Sequence, residues 1–191
     1  MKKRLLSIIL IGALSLTLVA CGNKDGNDSN GGNSSSQSQE VNNDVALVDI
    51  HEAVKEAYGD AYYPSMQYDE TQIEELFGLS SDLYDEIIAE GPMISAHVDT
   101  FIAVKAKEGK VDEVESKLNE YRDTLINDSM QYPTNQIKIE ASKVVKKGNY
   151  VFFILLGEIP MEVQEQGDEA ILEEAKNQVN IAVEAIEKAL K

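Results

Sequence analysis

Ser95, His97 and Asp99 lie two residues apart in the stretch Gly91-Pro92-Met93-Ile94-Ser95-Ala96-His97-Val98-Asp99. They hold the residue types of a hydrolytic triad: a nucleophile, a base and an acid that orients the base. On a regular strand all three side chains share one face. The spacing argues against the chemistry, because Cα atoms two apart on a strand are roughly 6.5–7 Å apart, whereas each proton-transfer pair must close to about 3 Å. No Gly-x-Ser-x-Gly elbow occurs either. No catalytic residue is assigned. The plainer reading is a polar outer face, with His97 pairing with Asp99 or with a neighbouring strand.

The second histidine, His51, falls four residues after Leu47 and so on or beside an apolar helical stripe, where a hydrogen-bonded rim histidine is expected. Neither histidine belongs to a His-Glu-x-x-His or other dense ligand spacing, so no metal and no cofactor is expected. Asp82, Asp85 and Glu86 could hold calcium or magnesium weakly, and are read first as a solvated acidic face. Asn23, Asp25, Asn27 and Ser29 imitate the start of a calcium loop, but Asp28 replaces the turn glycine and Ser34 the bidentate glutamate.

Tyr58, Tyr62, Tyr63 and Tyr68 fall within eleven residues, together with Pro64 and Met66. Several flat rings with hydroxyl groups on one loop can recognise a sugar ring or a peptide side chain. With His97 and Asp99, these tyrosines are the candidate binding residues. The competing expectation is a loop that packs over the core edge with its hydroxyls in solvent.

The only cysteine, Cys21, closes Leu18-Val19-Ala20-Cys21. Upstream lie Lys2, Lys3 and Arg4 and the apolar run Leu5–Val19, which together make the charged and apolar parts of a secretory signal. That run has fifteen residues, fewer than the roughly 20 of a spanning helix. It reads as a lipobox with cleavage between Ala20 and Cys21, leaving Cys21 as a lipidated N-terminus on the outer face of the cytoplasmic membrane. Two or three acyl chains, at about 0.8 kcal/mol per buried methylene, would hold the protein there firmly.

Charge fits an exported protein. The whole chain carries −17, and loss of residues 1–20 removes three cations and no acid, leaving 14 basic against 34 acidic side chains. Such a surface repels nucleic acid and anionic headgroups, so nucleic-acid binding is excluded. Without a second cysteine, the folded part has no intramolecular disulfide and no thiolate metal site.

Residues 22–44 are Gly, Asn and Ser-rich, with Val41 as their single aliphatic side chain. They read as a disordered linker of about 25 Å mean span. Residues 45–191 then form one domain. Four helices are expected: Leu47 to Tyr58, with Asp44 as its cap; one after the capping box Asp69-Glu70-Thr71-Gln72 and ending at Gly78; one through Val111, Val114, Leu118, Tyr121 and Leu125; and one over about Asp168 to Leu190. Between them, the alternation from Ile94 to Lys105 predicts one long or bent strand, or two. Ile137, Ile139, Ala141 and Val145 predict a strand leading through Gly148-Asn149 into a central strand, Tyr150 to Leu156. The expected fold is α+β: a single two-layer domain, mainly antiparallel sheet with helices packed on one side.

The order of these elements resembles the bacterial, Gram-positive type lipoproteins of the domain of unknown function 4358 family. The likeness rests on Gly91 to Asp99, on Ala103-Val104-Lys105-Ala106-Lys107 with Gly109-Lys110-Val111, and on Lys147-Gly148-Asn149-Tyr150-Val151-Phe152-Phe153. It covers most of residues 45–156 and departs in the tail. The resemblance implies location and fold, and carries no catalytic residue.

The sequence therefore points to a membrane-anchored, non-catalytic accessory or binding protein that meets a protein, a cell-wall polymer or a small ligand. The alternative is a small cell-surface hydrolase or metal-dependent enzyme built around His97 or His51. A cleft joining either histidine to two carboxylates would favour the enzyme.

Overall fold

The computed structural model describes residues 41–94, 96–128 and 130–191. The expected signal segment (1–20), the lipobox residues Ala20 and Cys21, the linker before Val41 and Ser95 lie outside the described residues.

Helix α1 (Leu47–Tyr58) buries Leu47, Ile50, Val54 and Tyr58, the stripe its spacing predicts. Asp44 is not its cap: Ala46 occupies the N-cap position and makes no side-chain bond. Val41–Asp44 lie on the fold and not in the linker. The Asn42 N–H donates to the Leu190 carbonyl (3.0 Å), and the Asn43 side chain accepts from the Asn149 N–H (2.9 Å). Helix α2 (Glu70–Phe77) starts on the expected capping box, with Asp69 and Gln72 exchanging side-chain and backbone bonds, and stops at Gly78.

A five-stranded antiparallel sheet has the order β1 (Met66–Gln67), β2 (Tyr84–Gly91), β3 (Thr100–Ala106), β5 (Tyr150–Leu155), β4 (Lys143–Lys147). The strand expected from Ile94 to Lys105 is confined to β3. Pro92 lacks the N–H that a strand interior needs, and the His97 N–H bonds the Ile94 carbonyl instead of a neighbouring strand, so Pro92–Ile94 and Ala96–Asp99 lie outside the ladder. Strand β2 was hidden by its acidic first half, where a bulge between Tyr84 and Glu86 shifts the register.

Helix α3 (Val111–Asn127) is as expected. Residues 137–141, expected in a strand, belong instead to helix α4 (Pro133–Ala141). Pro133 stands in its first turn, where the missing N–H costs nothing, and only Ile139 of the two isoleucines is fully buried. The following hairpin joins Lys147 to Tyr150 through Gly148, whose φ of +58° suits the first residue of a primed turn. A short α5 (Met161–Gln164) and the long α6 (Asp168–Ala189) complete the chain.

Helices cover both faces of this sheet, so the α+β fold has three layers, one more than expected. Phe101, Ala103, Tyr150, Phe152 and Ile154 face α1 and α6, whereas Ile102, Val104, Val151, Phe153 and Leu155 face α2, α3 and α4. Strands β3 and β5 are apolar at nearly every position because both their faces are buried, each large side chain contributing roughly 1.5–3 kcal/mol. The outer strand β4 carries Lys143, Lys146 and Lys147, which protect the open edge.

The sheet has two unlike ends. At one, the β4–β5 hairpin meets Asn43, and the Ala106 N–H bonds the Asn149 carbonyl (2.9 Å). At the other, four loop segments gather: the stretch after α1, the β2–β3 loop, the start of α4 and the chain after β5. The Ser65 N–H bonds the Gly91 carbonyl (3.0 Å), and the Asn135 amide bonds the Ala96 carbonyl (3.1 Å).

Candidate functional site

The loop end encloses a cleft of about 280 Å³, bordered by Tyr63, His97, Asn135, Lys138, Glu158 and Gln164. The Tyr63 and His97 rings stack at 5.3 Å between centroids and 23° between planes. The Tyr63 hydroxyl donates to Glu158 Oε2 at 2.9 Å, a bond that, with a smaller effect of burial, pushes the phenol pKa up. A flat aromatic pair beside an amide and a carboxylate is a surface that can bind.

Lys138 lies at the base of this cleft, and its ammonium group bonds Asp99. Asp99 is fully buried, and its other oxygen accepts from the Gly157 N–H (2.9 Å). Both oxygens are thus engaged inside the protein, and Asp99 does not pair with His97 as expected. Because Ala96–Asp99 lie outside any strand, His97 and Asp99 do not share a strand face. His97 reaches the surface while Asp99 turns inward as the ion-pair partner of α4. Gly157 takes φ +111°, and a Cβ there would lie 2.4 Å from that of Gln178 on α6, so no side chain fits where its N–H meets Asp99.

A second polar cluster lies between α1 and β2. His51 Nε2 is 3.0 Å from Glu90 Oε2, the Tyr62 hydroxyl donates to the same oxygen at 2.9 Å, and the imidazole stacks on Phe101 (5.8 Å, 11°). Burial alone would raise the Glu90 pKa. Hydrogen bonding to His51, its charge, the Tyr62 hydroxyl and Lys55 together hold it below the usual carboxylate range. Burial, then the neighbouring Glu90 charge, drive the Tyr62 phenol far upward. His51 therefore meets one carboxylate inside the core, not two in a cleft.

The tyrosines expected to form one recognition surface are divided. Tyr58 is buried and its hydroxyl donates to the Gln178 carbonyl (2.5 Å); burial, above all, raises its pKa. Tyr62 is committed to Glu90, and Tyr68 packs edge-on against Phe77 (5.2 Å). Tyr63 is the one of the four that borders the cleft. Of the surface acids, Asp82 accepts the Ser80 hydroxyl, which lowers its pKa, and Glu86 lies 3.6 Å from Lys105. Among the described residues, no group of three or more His, Cys, Asp or Glu side chains is placed to hold a metal ion.

Sequence reasoning missed Glu90, Lys138, Gly157 and Glu158. Glu90 stands in a stretch for which the sequence predicts no element and Lys138 in one expected to be a strand, and none of the four carries a local motif.

Residues 57–156 match the family model of the Domain of unknown function (DUF4358). The chain belongs to the DUF4358 family. The matched DUF4358 stretch runs from the end of α1 to the residue after β5, so it contains Tyr63, Glu90, His97, Asp99 and Lys138 and leaves out His51, α5 and α6. No curated protein and no solved structure matches the chain. No helix among the described residues of this DUF4358 protein is long and apolar enough to cross a membrane.

Proposed function

We propose that this DUF4358 protein is an extracytoplasmic lipoprotein, anchored to the outer face of the cytoplasmic membrane through diacylglycerol on Cys21, and that it binds a ligand or partner without catalysis. The observation that carries the binding reading is the loop-end cleft, where Tyr63 stacks on His97 beside Asn135 and Glu158. Of the groups that could do acid–base work, Asp99 is committed to Lys138 and Gly157 and His51 to Glu90, which leaves His97 and Glu158 on the cleft, where the Tyr63 ring and hydroxyl engage them. The anchoring reading rests on Lys2, Lys3, Arg4 and the Leu18-Val19-Ala20-Cys21 lipobox.

Growth of an expressing bacterial strain with labelled palmitate tests the anchor. The wild-type protein takes up label in the membrane fraction, and C21A takes up none; labelling of C21A would contradict the reading.

A further inference from the structure

We infer that the loop end of this domain docks a protein segment that is apolar and flanked by Lys or Arg. This rests on the binding reading above and deepens it by naming the class of partner.

The chain has five methionines, and apart from Met1 all of them lie at this end. Met66 follows the Tyr63–Pro64 turn and pairs with Gly91, Met93 is in the β2–β3 loop, Met130 precedes α4 and Met161 opens α5. Each belongs to a segment that borders the cleft or adjoins one that does. They are 36%, 73%, 89% and 68% exposed, and Ile94 (57%) and Tyr132 (67%) accompany them. Long apolar side chains left in water singly need no explanation, but their concentration at one end of a fold marks an interaction surface. Unbranched thioether side chains suit such a surface because they can repack against a partner of irregular shape.

Charge and chain entry select the partner. Segments 62–68, 92–99, 128–135 and 157–167 contain Asp99, Asp128, Glu158, Glu162 and Glu165 and no Lys or Arg. Asp99 is neutralised by Lys138, so the acids left to meet a partner are Asp128, Glu158, Glu162 and Glu165. An apolar surface whose segments also carry these acids complements an apolar segment bounded by cations, and repels anionic lipid headgroups. The chain also enters the fold at the opposite end of the sheet, where Asn42 meets Leu190 and Asn43 meets Asn149. Entry there leaves the methionine end uncovered by residues 41–44.

The test uses the full-length protein as isolated from cells and a fluorescent 14-residue amphipathic Leu/Lys helix as probe, with a Leu/Glu helix of the same pattern and phosphatidylglycerol vesicles as comparisons. M93Q/M130Q/M161Q keeps side-chain length and charge, and V48Q/L76Q changes two other exposed apolar residues, on α1 and α2. The expected result is that the methionine variant binds the Leu/Lys helix roughly tenfold or more weakly while V48Q/L76Q stays within about twofold. The Leu/Glu helix should bind at least about tenfold less well than the Leu/Lys helix. Equal binding by both variants would show attraction by net charge alone and overturn the proposal. So would equal affinity for the two helices, or methionine-dependent binding to the vesicles. Palmitate labelling at Cys21 is read separately, so loss of the docking result and loss of the anchor are told apart.

Discussion

Glu90 Oε2 accepts from both His51 Nε2 (3.0 Å) and the Tyr62 hydroxyl (2.9 Å), tying β2 to α1 through one buried carboxylate oxygen. A bond to a carboxylate from a buried donor is among the stronger contributions a polar group makes, and an amide in its place keeps an accepting oxygen but loses the charge that strengthens both bonds. E90Q should destabilise the domain by about 1–3 kcal/mol at pH 7, measured by urea denaturation. The folded state holds the Glu90 pKa below its ordinary value, so this stability is fully present above the unfolded glutamate pKa of about 4.3 and is lost as pH falls through the folded value. The gap between wild type and E90Q should therefore close below about pH 4. A gap that persists well below pH 4 would show that the carboxylate is not the group responsible.

Asp99 and Lys138 form a buried pair between the β2–β3 loop and α4. Removing one charge strands the other, so K138M should cost about 3–5 kcal/mol. The double variant D99N/K138M removes both charges, while the asparagine oxygen can still accept the Gly157 N–H. It should be more stable than the sum of the single variants requires, a coupling read from a double-mutant cycle in urea. Strict additivity would show that the pair does not act as a unit.

The chain reverses after β5 at Gly157, and the obstacle to any side chain there is the Cβ of Gln178. G157A should therefore cost roughly 2 kcal/mol or more. Q178A removes the Oε1 and Cγ contacts (2.7 and 2.8 Å) but keeps the nearest atom, Cβ, so it should give less relief than Q178G, which removes all three, in the G157A background. Melting temperatures of the four proteins decide this, and equal rescue by alanine and glycine would contradict the close approach.

Legibility in the sequence followed the range of the physics. Local signals read correctly: the Asp69–Gln72 capping box, the glycine stops, the apolar stripes of α1, α3 and α6, and the Gly148 hairpin all depend on neighbours within a few residues. Alternation misled where tertiary packing chose the element. Ile137, Ile139 and Ala141 match a period of two, yet the Pro133 start and burial of Lys138 with Ile139 make this stretch a helix. Ile94, Ala96 and Val98 extend the alternation of β3 but lie in a loop, so Ile94 is exposed.

The third layer was foreshadowed by the unbroken apolar run of β5, which needs cover on both faces.

The site was less legible than the fold because its pairs are distant in sequence. His97 was visible as a candidate, but its stacking partner Tyr63 comes from the segment after α1. Asp99 was visible too, and its partner Lys138 stands 39 residues away with no motif around it. The four tyrosines are close in sequence, but the fold assigns the hydroxyls of Tyr58, Tyr62 and Tyr63 to Gln178, Glu90 and Glu158 and packs Tyr68 against Phe77.

Display of the domain from a lipid on Cys21, as proposed, is read in the mass of the mature N-terminal peptide. Mass spectrometry of the protein isolated from its native membrane should show a peptide that begins at Cys21, carries a diacylglyceryl thioether and lacks residues 1–20. A mature chain that retains Lys2–Ala20, or begins elsewhere with an unmodified Cys21 thiol, would contradict it.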